Sequence, residues 1–355
     1  MDTKERTFVS ADEVARLAGV SRSAVSRTFT DGASVSDAMR KKVMRAAEKL
    51  GYHVNHLARG LSHERSGIVC LVVADIPTPY QGRMLDVTTR HLQAIGKIGM
   101  VINTTGEPEA VTEAIRKTVN FRAEAVIVLS GTPSPKLIAT CLANGQRVIL
   151  INRDDHLEGP TNIVVENAPA AREAYFLLRR AGCRRLGIVS STAGTPSLTA
   201  RESAFLAAAR DDGIDAVLLR TGPTGYASGV EAARQLFAQS EPPDGVFCVT
   251  DLLAMGFMDT ARHEFGVSVP EELCIVGFDD IDQADWTSYS LTTFRQPLEL
   301  VAERIAELLQ SDGPPLEGPV SVQPALVWRR SVRPKTRGRA NSGKGKTSGG
   351  TTPLA

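Results

Sequence analysis

The first fifty residues alternate hydrophobic and polar positions at the three- and four-residue spacing of short amphipathic helices. Ser10 opens the capping-box pattern Ser-x-x-Glu, which predicts the start of a helix, and Gly19 predicts its end. Ser21 and Ser36 are the expected N-caps of a second and a third helix, and Gly51 is expected to end the third. Two short helices joined by a tight glycine turn predict a helix-turn-helix unit.

From about Gly67 onward, nearly continuous apolar runs alternate with helix-length intervals. Such runs are typical of strands buried on both faces of a parallel sheet. About eight such strands favour two doubly wound lobes, with a closed α/β barrel as the alternative. The expected strands are Ile68–Ala74, Met100–Asn103, Ala125–Ser130, Val148–Asn152, Leu186–Ser191, Val217–Arg220, Gly245–Thr250 and Leu273–Phe278. The predicted fold class is an α/β core of two doubly wound parallel-sheet lobes preceded by an all-α helix-turn-helix headpiece.

Composition agrees with a folded chain of more than one domain. The chain has 355 residues, of which 42% are hydrophobic and 23% charged, so it has enough apolar side chains to build a core. No apolar run approaches the roughly 18–20 residues that a membrane span needs, and the N-terminus lacks the apolar segment of a secretory signal. We therefore expect a cytoplasmic protein with no membrane partner.

The net charge of +1 is an average over three unlike segments. Residues 1–65 hold 12 Lys+Arg and 8 Asp+Glu, whereas residues 66–330 hold 23 against 32. Residues 331–355 hold six basic residues and no acidic ones. The segments predict a basic headpiece, an acidic core and a basic tail, so the overall near-neutrality does not exclude a nucleic-acid partner.

Residue patterns that would indicate catalysis or a cofactor are missing from the sequence. There is no GxGxxG, GxSxG or HExxH motif, so we expect no enzymatic activity and no cofactor. The five cysteines have neither metal-ligand nor disulfide-framework spacing and are expected to be small buried hydrophobes. They are Cys70, Cys141, Cys183, Cys248 and Cys274.

The second predicted helix carries short polar groups and arginines on one side. Ser21, Arg22, Ser23, Ser26 and Arg27 are the candidate DNA-binding residues, because such side chains near a helix N-terminus reach base edges in the major groove. The alternative is a solvated basic helix in a small bundle.

Motifs along residues 7–330 resemble the LacI/GalR family of bacterial transcription regulators. In the headpiece the matches include Val14-Ala15, Ala18-Gly19-Val20-Ser21, Val25-Ser26-Arg27, Arg40 and Leu50-Gly51-Tyr52. In the core they include Asp75-Ile76, Pro79-Tyr80, Asn167, Arg201, Asp251, Gly277-Phe278-Asp279-Asp280 and Gln296-Pro297. The resemblance implies a two-lobed sugar-binding-protein core, with a small effector in the cleft, controlling a headpiece that binds operator DNA.

The segment that follows the headpiece resembles the hinge helix of that family. Asn55, Ala58, Arg59 and Leu61 match the positions that contact DNA, with Leu61 as the residue inserted into the minor groove. Gly60 departs from the usual Ser or Gln and is expected to weaken the helix. The alternative is a plain linker.

Five core residues match family positions around the effector: Tyr80, Arg201, Thr250, Asp251 and Asp279. A fixed guanidinium with a carboxylate suits a ligand rich in hydroxyls or one that carries a carboxylate. The usual Asn-Asp of the family is Thr250-Asp251 here, which points to a different or larger ligand. Tyr80 has the alternative of ordinary aromatic packing.

Together these features predict four segments. Residues 1–54 form the DNA-binding headpiece, 55–65 the hinge, 66–332 the effector-binding and dimerisation core, and 333–355 a disordered basic tail that either contacts DNA phosphates or only aids solubility. The predicted function is that of a homodimeric regulator, most simply a repressor. It would bind pseudo-palindromic double-stranded operator DNA under control of a sugar or sugar acid. The rival functions are a stand-alone solute-binding protein and an enzyme on the same scaffold.

Overall fold

The computed structural model describes residues 9–30, 33–53, 66–153, 159–311 and 318–334. The helix-turn-helix segment belongs to one compact unit and the α/β core to another. In the described part of the chain, no helix is long and apolar enough to cross a membrane.

Three helices form the headpiece: α1 (Ala11–Ala18), α2 (Arg22–Thr28) and α3 (Asp37–Leu50). Their boundaries follow local chemistry, since Ser10, Ser21 and Ser36 cap the N-termini through their side chains. Gly19 and Gly51 end α1 and α3 in the left-handed conformation that favours glycine. The helices bury a small apolar core that includes Val14, Ala18, Val25, Val43 and Ala46. The predicted helix-turn-helix unit is confirmed.

The first lobe of the core is a six-stranded sheet in the order β11-β5-β4-β3-β1-β2. Its strands are β1 (Ile68–Ala74), β2 (Ile98–Thr104), β3 (Ala125–Val128), β4 (Arg147–Ile151), β5 (Thr161–Val165) and β11 (Val320–Val322). The helices of this lobe are α4 (Pro79–Ala94), α5 (Pro108–Asn120), α6 (Pro135–Ala143) and α11 (Leu298–Gln310). Two apolar clusters, one containing Leu71 and Ile127 and the other Val72 and Val126, cover the sheet's opposite faces.

The second lobe is a four-stranded parallel sheet in the order β7-β6-β8-β9. Its strands are β6 (Leu186–Ser190), β7 (Val217–Arg220), β8 (Gly245–Cys248) and β9 (Cys274–Val276). Its helices are α7 (Asn167–Arg180), α8 (Pro196–Asp211), α9 (Tyr226–Phe237) and α10 (Asp251–His263), followed by a 3₁₀ turn, Asp282–Asp285. A short antiparallel pair, β10 (Thr293–Arg295) and β12 (Ala325–Val327), completes the core.

In each lobe the first strand lies between the second and the third, so the chain reverses its winding direction beside β1 and beside β6. This is the doubly wound arrangement, in which ligands bind off the carboxyl ends of the strands at the reversal point. The predicted two-lobed fold class is therefore confirmed and the barrel alternative is wrong.

Several predicted strand ends were too late. The structure ends β3 at Val128, β8 at Cys248 and β9 at Val276, and the polar residues that follow leave the sheet toward the cleft. The sequence pattern also missed β5, β10, β11 and β12, of which the last three have three residues each. Such short strands carry too little periodicity to be predicted from sequence.

The expected start of the disordered tail at Arg333 is wrong. The Arg333 side chain is ordered and donates hydrogen bonds to the carbonyls of Ala181 (3.2 Å), Pro270 (2.7 Å) and Glu271 (2.8 Å). It therefore ties the end of the core to the second lobe, and residues 335–355 lie outside the described part of the chain. The five cysteines are buried free thiols, as predicted.

Candidate DNA-binding helix and effector cleft

The start of α1 is fixed by reciprocal capping between Ser10 and Glu13. The backbone N–H of Ser10 donates to Glu13 Oε2 at 2.7 Å, and the Glu13 N–H donates to Ser10 Oγ at 3.3 Å. The Ser10 N–H, together with the Ser10 hydroxyl that donates to Glu13 Oε2 at 2.9 Å, holds the pKa of the Glu13 carboxyl below its usual value. The capping box orients the first helix, and the left-handed Gly19 then turns the chain into α2.

Helix α2 separates its residues sharply by exposure. Ala24, Val25 and Thr28 are buried against the headpiece core, whereas the candidate DNA-binding residues Ser21, Arg22, Ser23, Ser26 and Arg27 are exposed. Arg22 lies 3.8 Å from Asp12 across an exposed pair that solvent screens. The helix therefore presents two arginines and two serines on one outward face, beyond its cap.

Ser21 has a local task within this face. Its Oγ accepts from the Ala24 N–H at 3.2 Å and lies 2.9 Å from Ser23 Oγ. The hydroxyl is thus engaged in capping α2, so any contact of Ser21 with DNA would use atoms at the helix start rather than a free side chain.

One headpiece residue acquires a role that sequence reasoning did not assign. Arg40 of α3 donates from Nη1 to the carbonyl of Thr28 at 3.0 Å, which satisfies the C-terminal end of α2. The rings of Phe29, which follows α2, and Tyr52, which follows the C-cap of α3, pack at a centroid distance of 5.6 Å. These contacts fix the direction of α2 relative to α3. The predicted hinge residues Asn55, Ala58, Arg59 and Leu61 lie outside the described residues.

A cavity of about 160 Å³ lies between the two lobes of the core. Its lining comes from the segments that follow the strands on both sides of the cleft. The first lobe contributes Asp75, Tyr80, Gln81, Ser130 and Arg153, and the second contributes Ser197, Arg201, Thr250, Asp279 and Gln296 among others. Four of the five predicted effector residues therefore meet in one cavity: Tyr80, Arg201, Thr250 and Asp279.

Arg201 is the most constrained of these side chains, at 3% exposure. Its Nε donates to Asn167 Oδ1 at 2.8 Å and its Nη1 donates to the Val249 carbonyl at 2.7 Å. Nη1 also lies 3.6 Å from Asp279 Oδ1. Burial lowers the pKa of Arg201, and Asp279 opposes that change. The guanidinium is thus held in place before any ligand arrives, which reduces the entropy cost of binding.

Asp279 lies three residues beyond the end of β9, with a backbone φ of 129°. Its Oδ1 accepts a hydrogen bond from Gln296 Nε2 at 2.6 Å. Burial raises the pKa of Asp279 to about 6, while the nearby Arg201 partly counteracts that shift. The carboxylate therefore faces the cleft as an acceptor that is already oriented by two donors.

Two further predicted residues line the cleft in different ways. Tyr80 is half-buried near the start of α4, and its pKa is raised by burial and by the charge of Asp279. Thr250 caps α10, with its Oγ1 accepting from the Leu253 N–H at 3.5 Å. The family resemblance predicts the amide of an Asn at this position, and the chain has the shorter hydroxyl of Thr250 instead.

Asp251 is placed differently from its prediction. Its carboxylate does not line the cavity but accepts from Thr293 Oγ1 at 2.6 Å and from the Ile281 N–H at 3.0 Å. Burial is the main cause that raises the pKa of Asp251 to about 7. The residue thus holds the loop after β9 to β10 behind the cleft. It supports Asp279 rather than facing the effector.

Sequence reasoning missed the two glutamines of the lining, Gln81 and Gln296. Gln81 directly follows Tyr80, and Gln296 belongs to the Gln-Pro pair noted in the family resemblance. Amides carry no hydropathy signal, so only their neighbourhood to predicted site residues could have drawn attention to them.

Comparison with known proteins agrees with both parts of the chain. A family model for bacterial regulatory proteins of the lacI family matches residues 11–55, and a model for periplasmic binding protein-like domains matches residues 177–332. The HTH-type transcriptional regulator GalS of Salmonella typhimurium is 30% identical over 330 residues, which cover 92% of this chain and 97% of GalS.

Solved structures share the fold. A crystal structure of the lac repressor dimer, bound to operator and the anti-inducer ONPF, matches with a TM-score of 0.83 at 20% identity, covering 92% of this chain and 100% of that chain. The complex of the transcriptional regulator CelR with cellobiose matches with a TM-score of 0.66 at 24% identity, covering 91% and 99%.

A helix-turn-helix headpiece and a two-lobed ligand-binding core in one chain define a ligand-responsive, DNA-binding class of protein. The chain belongs to the LacI/GalR family of bacterial transcriptional regulators. It is a DNA-binding transcriptional regulator, and its curated relatives are regulators rather than enzymes.

Proposed function

We propose that this protein is a homodimeric, cytoplasmic repressor whose affinity for operator DNA is set by a carbohydrate bound in the cleft. The observation that carries the proposal is the pre-oriented Arg201–Asp279 pair, a buried donor and acceptor on the wall of a cavity between two lobes. Residues 1–54 would bind DNA, 55–65 would form the hinge, and 66–332 would bind the effector and the second protomer.

DNA recognition would rest on the exposed face of α2. Arg22 and Ser23 lie in its first turn and are proposed to read base edges, with Arg27 adding a base or phosphate contact. One seven-residue helix reaches only a few base pairs. Two headpieces related by a twofold axis would therefore read a pseudo-palindromic site.

The hinge would couple this reading to the core. The hinge residues Asn55, Ala58, Arg59 and Leu61 are proposed to become ordered on DNA. Leu61 is proposed to insert into the minor groove. Effector binding would change the position of one lobe relative to the other and so disfavour the ordered hinge. By linkage, DNA would change effector affinity by the same factor. Leu61→Ala is expected to reduce operator affinity and bending, and unchanged values would rule out the wedge.

The effector is proposed to be a sugar. Arg201, Asp279, Tyr80 and Thr250 offer the mixture of fixed donors, acceptors and one aromatic ring that holds a polyhydroxyl ligand. The cellobiose complex of CelR supports a carbohydrate as the class of ligand. Thr250 replaces the Asn that is usual in the family, which points to a different or larger ligand.

Selection of binding sites from random duplex DNA by the full-length protein tests the proposal. We expect a two-half-site consensus, and Arg22→Ala should change the preferred bases at symmetric positions. Arg210→Ala removes the same charge from an exposed position of α8 and should leave the consensus unchanged. A uniform loss of affinity across all sequences would assign Arg22 to phosphate contact, and failure to select any site would contradict the proposed function.

The second part of the test asks whether an effector changes binding to the operator selected in the first part. A panel of sugars is screened for thermal stabilisation of the full-length protein, and each hit is added to the protein–operator complex while fluorescence anisotropy is recorded. We expect at least one sugar both to raise the melting temperature and to change operator affinity. Stabilisation without any change of operator affinity would contradict the regulatory role of the cleft.

A further inference from the structure

Two of the five cysteines lie close together at the amino ends of the strands of the second lobe. Cys274 is the first residue of β9, and Cys183 lies three residues before β6 begins. The carbonyl oxygen of Asp244 accepts from the Cys274 N–H at 3.0 Å and lies 3.3 Å from Cys183 Sγ. The pair is therefore at the edge of the sheet opposite to the effector cleft, which lies off the carboxyl ends of the strands.

A glycine makes room for the two thiols on one face of the sheet. Gly245 of β8 is the register partner of Cys274, and neighbouring strands lie about 4.8 Å apart. A Cβ on Gly245 would lie 2.8 Å from Cys183 Sγ, which is closer than real Cβ atoms approach. The Cys183 thiol thus occupies the place of the missing side chain, beside Cys274, and the two thiols are hydrogen-bonded to each other.

Arg333 contacts both sulfurs from the end of the core. Its Nη2 donates to Cys183 Sγ at 3.3 Å, and its backbone N–H donates to Cys274 Sγ at 3.4 Å. Both cysteines are fully buried, whereas Arg333 is half-buried. The side chain of Arg333 is therefore a cover over the pair whose outer part meets solvent.

Ionisation separates Cys274 from the other cysteines. The hydrogen bond from Cys183 lowers the pKa of Cys274 below that of an ordinary thiol, and the N–H and charge of Arg333 lower it further, against the effect of burial. The same hydrogen bond raises the pKa of Cys183. Burial raises the pKa of the other three thiols, which are Cys70, Cys141 and Cys248. Because the thiolate is the nucleophile, the pair combines one reactive sulfur with one that stays protonated.

We propose that Cys183 and Cys274 are a redox-active pair that a hydroperoxide oxidises to a reversible disulfide. Both are free thiols in the structure. Hydrogen peroxide is nearly as small as water, so a local displacement of the Arg333 side chain admits it to the sulfurs. The site is separate from the cleft, and its chemistry does not depend on the proposed effector.

The oxidation begins at Cys274. Its thiolate attacks one oxygen of hydrogen peroxide, the O–O bond breaks, and hydroxide leaves while the sulfur becomes a sulfenic acid. The Cys183 sulfur then attacks the sulfenic sulfur, so that an S–S bond forms and the S–O bond breaks. The departing hydroxide takes the proton of Cys183 and leaves as water. A dithiol reductant returns both residues to thiols by exchange.

Peroxide treatment of the reduced, full-length protein, followed by peptide mapping, tests the pair. We expect each chain to lose two hydrogen atoms, a crosslink to join Cys183 to Cys274, and dithiothreitol to restore both thiols. The other three cysteines are internal controls and should still be alkylated after the oxidised protein is unfolded. A crosslink between any other cysteines, equal oxidation of all five, or no oxidation of the folded protein would overturn the proposal.

Substitutions separate the roles of the two sulfurs. In Cys183→Ser, Cys274 should stop at the sulfenic acid, which dimedone labels when the protein is then unfolded. In Cys274→Ser, oxidation of Cys183 should slow at least about tenfold, because the reactive thiolate is lost. Cys248→Ser makes the same change at a fully buried position of the same lobe and should leave the crosslinking rate unchanged.

The melting temperatures of the reduced variants are compared first, and Cys274→Ala replaces Cys274→Ser if the serine variant melts lower. Oxidation of Cys183 at the parent rate without the Cys274 thiol would overturn the assignment of Cys274 as the attacking residue. Equal slowing in Cys248→Ser would show a general effect of packing and would overturn it as well.

Discussion

The guanidinium of Arg201 lies over the ring of Phe278, with its carbon 3.6 Å from the ring centroid. Phe278 is fully buried and stacks on Phe294 at a centroid distance of 5.7 Å. Its carbonyl also accepts from the Asp251 N–H at 2.8 Å. The ring therefore forms a rigid floor under the cation, and it comes from the same loop that carries Asp279. One loop thus positions both members of the proposed effector-binding pair.

Replacing that floor is expected to affect ligand binding as well as stability. Phe278→Leu should weaken the effector about tenfold, because Arg201 loses a cation–π contact worth roughly 1–2 kcal/mol when desolvated. It should also lower the free energy of unfolding by about 1–3 kcal/mol. Titration calorimetry and urea unfolding measure the two effects.

The matched control is Phe247→Leu. Phe247 is equally buried in the second lobe and stacks on Phe205 instead of contacting Arg201. It should lose similar stability and keep effector affinity. If both variants lose affinity equally, the Phe278 ring contributes to packing only.

The raised pKa values of the two buried aspartates predict how stability depends on pH. Burial raises the pKa of Asp279 to about 6 and that of Asp251 to about 7, from ordinary values near 4. Between about pH 4 and 7 the folded protein keeps protons that the unfolded chain releases. The free energy of unfolding should therefore fall as pH rises through this window, by up to about 1.4 kcal/mol per pH unit for each group.

Urea unfolding at pH 5 to 8 measures this slope, and variants isolate it. Asp279→Asn cannot ionise, so its stability relative to the parent protein should increase from pH 5 to pH 8. Asp215→Asn, at an exposed position, should follow the parent across the range. Parallel curves for the parent and Asp279→Asn would refute the assigned shift.

Two glycines allow α9 and α10 to pack backbone against backbone. A Cβ on Gly256 would overlap the carbonyl oxygen of Tyr226, and one on Gly229 would overlap that of Leu253. Gly256→Ala is therefore expected to lower the free energy of unfolding by about 3 kcal/mol or more, since neither backbone can yield cheaply. Gly82→Ala in α4 is the control, because a Cβ there has its nearest neighbour 3.8 Å away. That substitution should be neutral or stabilising by about 0.5–1 kcal/mol, and equal losses would disprove the close packing.

The headpiece could be predicted because its determinants are local. Ser10, Gly19, Ser36 and Gly51 fix helix ends within a few residues of themselves, and the structure uses each of them as expected. The long apolar strands were predictable for the same reason. Strands β10 and β12 form only because residues far apart in sequence pair, as Phe294 does with Leu326, and no local pattern encodes that pairing.

The cleft was predictable in position and less so in detail. Residues after strand ends must gather at one edge of a parallel sheet, so Arg201 and Asp279 were both expected at the effector cleft. Arg201 Nη1 and Asp279 Oδ1 lie 3.6 Å apart there. Asp251 also follows a strand, yet hydrogen bonds from Ile281 and Thr293 turn it away from the cavity. Which of several polar residues faces a ligand depends on such tertiary bonds.

The end of the core gives a last prediction through Arg333. Its guanidinium joins the carbonyls of Ala181, Pro270 and Glu271, so truncation before Arg333 should lower the melting temperature by several degrees, whereas truncation after residue 334 should not. Arg333→Met in the full chain should reproduce the loss caused by the longer truncation. Removal of residues 335–355 also takes away five basic residues, and the salt dependence of operator binding then shows whether they contact phosphates. An unchanged logarithmic salt slope would leave the tail without a part in DNA binding, and a shallower slope would assign it one. If instead both truncations melt at the same temperature as the full chain, Arg333 does not anchor the core.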